Sequence, residues 1–386
     1  MNADQTDSSE LQQDVTSWKE SPFLIIKGFL MGSADIVPGV SGGTMALITG
    51  IYDRLIFAIK SADWTAVKTA LSFQFKKFFE HFHWKFFLLL FSGIFLAVIF
   101  FTRIVPLQVY MFTHPEIVYG LFFGLIVGSI YLLMAEVNKA ERTPVNFLYL
   151  VAGALIGFWV VTLVPADTPE SFWFVFLSGS VAICAMILPG ISGSYLLLIF
   201  RKYDYILSQL GAIGTIDTVQ ALLNLVPFVI GALVGIILFS RLLSWLLKNF
   251  HTATLMVLIG FLVGSLYVIW PYQDRTFEDH VREIEIVEMT DPIVEELQQR
   301  DSIPPGPEYK RLGEVENPDS TFDRLKRVEI ETVSRKLVSS QPHFPGFNWP
   351  EEDETIDLYG GLSGMAIGLS LIVGIAYLRK KDSGDG

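Results

Sequence analysis

Six apolar runs, near residues 86–105, 117–134, 146–164, 222–247, 254–270 and 358–378, restrict this chain more than any other feature. Each is close to the roughly 20 residues that carry a helix across a bilayer. In hydrocarbon every backbone N–H and C=O must be satisfied within the chain, which leaves helices packed side by side as the economical solution for such runs. The expectation is an all-α polytopic membrane protein with about six full transmembrane helices. Composition agrees: 51% of the 386 residues are hydrophobic and 13% aromatic. The opening "MNADQTDSSELQQDVTSWKE" is polar and acidic and lacks the basic segment and short apolar core of a signal peptide, so residues 1–21 read as a cytoplasmic tail. The single cysteine, Cys184, lies in an apolar run, can form no intrachain disulfide and reads as a packing residue.

Two further apolar stretches are broken. "GSADIVPGVSGGTMALITGIYDRLI" (32–56) holds Asp35, Pro38 and several glycines where a span should be continuous, and "AICAMILPGISGSYLLLIFRKYDYIL" (182–207) repeats it. One offset of 151 residues carries Pro38 to Pro189, Gly39 to Gly190, Ser41 to Ser192, Gly42 to Gly193, Tyr52 to Tyr203 and Asp53 to Asp204. Further on, "FFTRIV" around Arg103 resembles "LFSRLL" around Arg241, and "GLIVGSIYLL" (124–133) resembles "GFLVGSLYVI" (260–269). The chain thus reads as an internal duplication of one membrane unit, residues 22–164 and 165–270.

Each P-G-[VI]-S-G element suits two half-helices that meet at the Pro-Gly turn, dip into the membrane and return to the same side. Non-helical backbone at that depth survives only where it is buried in protein or lines a cavity. Two such re-entrant hairpins separated by three crossings make the second unit an inverted copy of the first. Lysine and arginine placement gives an orientation: Lys60, Lys68, Lys76, Lys77, Lys85, Lys139, Arg142, Lys248 and "RKK" (379–381) fall on the cytoplasmic side, while 106–115 and 165–171 contain neither residue. Arg201 and Lys202 fall on the outer side and oppose the pattern.

Residues 271–355 hold 21 of the 40 acidic and 10 of the 28 basic residues, a net of −11, against −1 for everything else. This acidic stretch, with β-like pieces "REIEIVEM" and "RVEIETVS", reads as a small extracytoplasmic domain or partly ordered loop, followed by a C-terminal transmembrane helix at 356–379 and a cytoplasmic tail at 380–386.

Paired broken helices are a recurrent transporter plan, with half-helix ends aimed at the substrate. Free N–H groups and hydroxyls favour an oxyanion. Here Gly39, Ser41, Gly42, Gly43 and Thr44 begin one half-helix, and Gly190, Ser192, Gly193 and Ser194 the other. The bland reading is that small residues permit close helix packing. Arg103 and Arg241, repeat-related intramembrane cations, either face the path of an anion or snorkel to headgroups. Arg54 and Arg201 either meet a phosphate or anchor the interface. Asp35, whose counterpart is Met186, either carries a coupling proton or pairs with Lys27. No metal-ligand cluster or nucleotide loop is present, so no metal, cofactor or nucleic-acid partner is expected. Nothing specifies an oligomeric state.

The tandem "DIVPGVSGGTMALITGIYDRLI" and "ILPGISGSYLLLIFRKYDYIL" resembles the bacterial polyprenyl-phosphate transporter family over roughly residues 22–270. The resemblance implies a non-enzymatic undecaprenyl-phosphate translocase of the bacterial cell membrane. Such a protein returns the lipid carrier from the outer to the inner leaflet for cell-envelope synthesis. Two alternatives stay open at this point. One is an undecaprenyl-pyrophosphate phosphatase-like enzyme, although Ser41 and Ser192 are followed by glycine and no glutamate precedes either hairpin. The other is a small-anion transporter or channel.

Overall fold

The computed structural model describes residues 16–37, 40–163, 168–214, 216, 218–300, 302–304, 306–318, 321–344 and 356–382. The first broken segment forms α1 (Ser21–Asp35), α2 (Gly42–Ile48) and α3 (Tyr52–Lys60), with α2 and α3 bent by 119°. Two short helices, α4 (Trp64–Leu71) and α5 (Phe75–His81), lead into α6 (Trp84–Ile99), which runs on through a π-helical turn at Phe100–Ile104. After α7 (Leu107–Thr113) come α8 (Pro115–Glu136) and α9 (Pro144–Val161). Pro115 and Pro144 sit in first turns, where the missing N–H has no intrahelical partner to lose.

The second broken segment forms α10 (Phe172–Ile187), α11 (Gly193–Ile199) and α12 (Tyr203–Gly211), followed by α13 (Thr218–Asn249) and α14 (His251–Ile269). Among the described residues five helices are long and apolar enough to cross a membrane: Trp84–Ile104, Pro115–Glu136, Pro144–Val161, Thr218–Asn249 and His251–Ile269. The sixth apolar run opens the C-terminal helix Leu358–Asp382, whose Leu358–Gly374 part is apolar. The protein is therefore a polytopic helical membrane protein.

Helix limits recur with the sequence. Shifting α2 and α3 by 151 residues gives the start and end of α11 and α12. Each second half-helix ends on a left-handed residue at matching positions, Gly50 at φ 69° and Arg201 at φ 49°.

Glycines set the packing register, because small residues let membrane helices approach backbone to backbone. A Cβ on Gly28 would overlap the Leu90 carbonyl, and one on Gly93 the Ile25 carbonyl, so α1 and α6 lie side by side. Gly32 meets Ile94 and Ala97 one turn further along both helices, which makes the pair parallel. The corresponding contacts recur between α10 and α13: Gly179 on Phe228, Gly231 on Phe176, and Gly235 on Ile183. A second kind of pair joins α9 to α14, through Gly153 on Val257, Gly157 on Phe261, and Gly260 and Gly264 on Ala154.

Two antiparallel ladders form a three-stranded sheet in the acidic insertion: β1 (Gln273–Glu288), β2 (Glu308–Glu316) and β3 (Arg327–Pro342), in the order β1-β3-β2. The expectation of an all-α chain is corrected here. The stretches "REIEIVEM" and "RVEIETVS" alternate in character as strands do, and Val328, Ile330 and Val333 of β3 are buried, as are Tyr309 of β2 and Val294 of α15 (Pro292–Gln298). The domain is fastened to the helices below it. Arg275 lies 3.8 Å above the Tyr119 ring, Phe112 meets Phe277 at 4.8 Å, and Trp270 Nε1 donates to the His343 carbonyl at 2.9 Å. Tyr272 donates to the Leu358 carbonyl at 2.8 Å, where the last helix, α16 (Leu358–Asp382), begins. That helix packs in parallel on α8, with Gly120 on Gly361, Gly124 on Met365, and Gly364 and Gly368 on Leu121.

Candidate functional site

The two broken segments meet tip to tip. Ser41 caps α2 by accepting from the Gly43 N–H at 3.2 Å, and its hydroxyl donates to the Leu188 carbonyl at 3.3 Å. Thr44, fully buried, accepts from the Gly190 N–H at 2.9 Å. Glycine is required on both sides of this contact. A Cβ on Gly43 would sit 2.7 Å from the Ile187 carbonyl oxygen, and Gly190, at φ 80°, would push one to 2.7 Å from the Phe261 carbonyl oxygen of α14. Pro38 and Gly39 lie outside the described residues.

The tips differ in what they leave accessible. Ser41, Gly42, Gly43 and Thr44 are buried. In the second tip Gly193 is buried, whereas Ser192 is half-buried and Ser194 exposed, their hydroxyls 2.9 Å apart. Ser192 caps α11 through the Tyr195 N–H, and the Tyr195 hydroxyl donates to the carbonyls of Val161 and Leu163 at the end of α9. Asp35, exposed at the end of α1, accepts from the Gly42 N–H at 2.6 Å. Its carboxylate therefore holds the first amide of α2. Met186, the residue at the matching place, packs its side chain toward Gly193 instead.

Both broken segments are clasped at their two ends. Arg54, at the start of α3, donates to Glu20 Oε2 at 2.9 Å and to Thr16 Oγ1 at 2.7 Å, with its guanidinium 5.1 Å from the Phe86 ring centre. Residues just before α1 therefore touch residues just after α2. In the second segment the Lys202 ammonium donates to the Thr168 carbonyl at 3.0 Å and lies over Phe174 and Tyr205, and Thr168 donates back to the Phe200 carbonyl. Lys202 is almost fully buried. The sequence marks Lys202 with Arg201 as an outer-side cation beside the broken segment, but only Arg201 counts there among the phosphate-path residues; the 151-residue offset sets Ile51 against Lys202 and Tyr205 against Arg54. The available signal was a cation displaced by one helical turn. Arg201 itself is exposed and held in the left-handed region where the matching residue is glycine.

Arg103 sits in the π-helical turn, where the Val105 N–H reaches back to the Phe100 carbonyl at 2.9 Å. Such turns inside helices are frequent at functional sites. Arg241 lies within α13, and both arginines are exposed. Neither touches the tips through a hydrogen bond or ion pair among the described residues; each is carried by the helix that packs on the first half of its own hairpin. What the arrangement offers chemically is a central cluster of backbone amides and hydroxyls, with arginines on flanking helices.

A family model described as VCA0040-like, undecaprenyl phosphate translocase-like, matches residues 31–284. A polyprenyl-phosphate transporter of Vibrio cholerae serotype O1 (strain ATCC 39315 / El Tor Inaba N16961) is 36% identical over 249 residues, covering 64% of this chain and 77% of that relative. A polyprenyl-phosphate transporter of Staphylococcus aureus (strain NCTC 8325 / PS 47) is 31% identical over 258 residues, 64% of this chain and 85% of the relative. No solved structure matches.

Proposed function

Because the chain belongs to the VCA0040-like, undecaprenyl phosphate translocase-like family, we propose that it is a flippase for undecaprenyl phosphate in the bacterial cell membrane. It returns the lipid carrier from the outer to the inner leaflet for cell-envelope synthesis, moving its substrate without breaking a bond. The observation that carries this reading is the meeting of the two tips through Ser41, Thr44, Leu188 and Gly190. A phosphate monoester crossing hydrocarbon needs donors at mid-depth, while its isoprenoid tail stays in lipid. In this state the hydroxyls of Ser192 and Ser194 are the accessible donors, the Gly42, Gly43 and Gly190 amides being held by Asp35, Ser41 and Thr44 until the tips part, and Arg103, Arg241, Arg54 and Arg201 supply positive charge along the way.

The architecture behind it is an inverted repeat with two re-entrant hairpins. Support comes from contacts rather than from hydropathy alone. The clasps at Arg54 and Thr168 hold the entry and exit of each hairpin together, as a return to one face demands. α1 runs parallel to α6, and α10 to α13, so each span starts on the face from which its hairpin entered. Three crossings separate the hairpins, which opposes the two units. The pairing of α16 with α8, matching that of α9 with α14, extends the second unit beyond residue 270 and leaves 271–355 as an insertion within it. Lysine and arginine placement sets the face carrying Lys60, Lys76 and Lys139 in the cytoplasm and the insertion outside. Asp35, holding the Gly42 amide, is the group placed to couple a proton to the movement of the first tip.

The test is the amount of undecaprenyl phosphate exposed at the cell surface. Depletion of this protein raises it and re-expression lowers it; unchanged exposure at full depletion, in cells lacking other carriers of this activity, rejects the proposal.

A further inference from the structure

The two units are packed differently at their ends. On the cytoplasmic side α3 lies on α13, with Lys60 Nζ 3.4 Å from Ser244 Oγ. One face of α13 at helical spacing, Ser240, Leu243, Ser244 and Leu247, is buried there, and so is Ile56 of α3. The repeat gives each of these a counterpart on the outer side. An offset of 151 residues takes Ile56 to Leu207, Ile59 to Leu210 and Lys60 to Gly211 on α12. The offset of 138 that relates Arg103 to Arg241 takes the α13 face to Thr102, Val105, Pro106 and Val109, where the π-helical turn of α6 gives way to α7.

All of these counterparts but the half-buried Val105 are open. Leu207 is 37% exposed where Ile56 is 0%, and Val109 is 37% exposed where Leu247 is 5%. Leu210, Thr102 and Pro106 are exposed as well. α12 packs on α11 and α13 of its own unit and makes no packing of comparable extent on α6. The tips agree in sense: the first is buried, and the second leaves Ser194 exposed.

Resting on the inverted-repeat reading above, we infer that the structure holds the transporter closed on the cytoplasmic side and open on the outer side. Its missing contact is α12 against the outer end of α6. In the alternate state Leu207, Leu210 and Gly211 close on Thr102, Pro106 and Val109, beside Arg103, while α3 leaves α13. The partner of the bare α12 face is therefore a segment of this same chain. The exchange is not a mirror image throughout. Gly43 admits no side chain against Ile187, and serine stands at the matching position 194, so the tips do not trade places; the end contacts do.

Cysteine pairs in the full-length protein, with Cys184→Ala as background, test this in membranes. One pair is Lys60→Cys with Ser244→Cys; the other is Pro106→Cys with Gly211→Cys, and a side chain at 211 meets nothing within 4 Å. A short irreversible thiol crosslinker joins the first pair quickly. The second pair joins slowly but progressively, since a minor state of ~0.1–10% population is still captured over time. A protein carrying all four cysteines gives one crosslink or the other in any molecule. Failure of the 106/211 pair ever to join, or both crosslinks in one molecule, overturns the inference. Crosslinking is read by gel mobility without reference to transport. A protein that moves no polyprenyl phosphate would therefore sink the transport reading and still leave the gate decided.

Discussion

At the scale of single residues, the arginines carry the sharpest expectations. Arginine keeps its charge when dehydrated and meets phosphate through a planar fork that lysine does not reproduce. Arg103→Lys and Arg241→Lys are expected to slow lipid-carrier recycling about tenfold, the equivalent of a ~1.4 kcal/mol change, and the glutamine variants more. Surface undecaprenyl phosphate at matched protein abundance is the measure; recycling unchanged in both glutamine variants makes the two arginines interface anchors. Arg201 offers a cleaner separation of structure from function, because its backbone already has the conformation that glycine supplies at Gly50. Arg201→Gly relieves left-handed strain of about 1 kcal/mol, so the melting temperature in detergent should rise or hold while transport falls. A variant that is both stabilised and fully active removes Arg201 from the phosphate path. The hydroxyl and glycine positions of both tips were legible because the motif occurs twice in one chain. The direct bonds between tips, Ser41 to Leu188 and Gly190 to Thr44, were not, since a single sequence fixes spacing along the chain and says nothing of which carbonyl a hydroxyl will find 147 residues away.

At the scale of helices, the glycine contacts decide which element lies on which. Gly231 packs where a Cβ would overlap the Phe176 carbonyl, and Gly93 does the same against Ile25. Forcing a methyl group into either contact is an overpacking change costing about 1–3 kcal/mol. Gly231→Ala and Gly93→Ala should lower thermal stability by similar amounts, whereas Gly211→Ala, in open space, should not. Equal stability of all three would show that these helix pairs are loose. Length and apolarity announce the spans in the sequence, and among the described residues five of the six runs lie in helices both long and apolar enough to cross a membrane. Their partners could not be read. Apolar stretches are interchangeable to a hydropathy argument, and the choice of α14 for α9 depends on where glycines fall around each helix. The sheet was half legible: alternation marked two of its strands, but the acidic composition masked the few apolar residues, Val328, Ile330 and Val333, that it buries.

At the scale of the whole molecule, topology makes a prediction that chemistry can check from outside the cell. Cysteines placed at Glu170 and Glu314 should react with impermeant thiol reagents in intact cells, and cysteines at Lys76 and Lys139 only after the membrane is opened. Labelling of both sets from one side contradicts the opposed units. The insertion lies outside the matched hairpins and spans, so replacing 274–352 with a short linker should leave carrier recycling within about twofold of the intact protein, an effect below ~0.5 kcal/mol. Lost recycling at normal membrane abundance would mean that the clamp of Arg275 on Tyr119 does more than seat the domain. The exchange of last helices, with α9 lying on α14 and α16 on α8, also has a bearing on how the protein is made. Synthesis runs from the first residue to the last, so α9 waits in the bilayer for a helix not yet translated, and α8 waits for the final one. A chain halted after residue 269 would show lipid the bare stripe of Gly120, Gly124 and Gly128, with the insertion still to be translated. Neither half can be finished by itself, because α8 stays uncovered until α16 has been translated and inserted beside it.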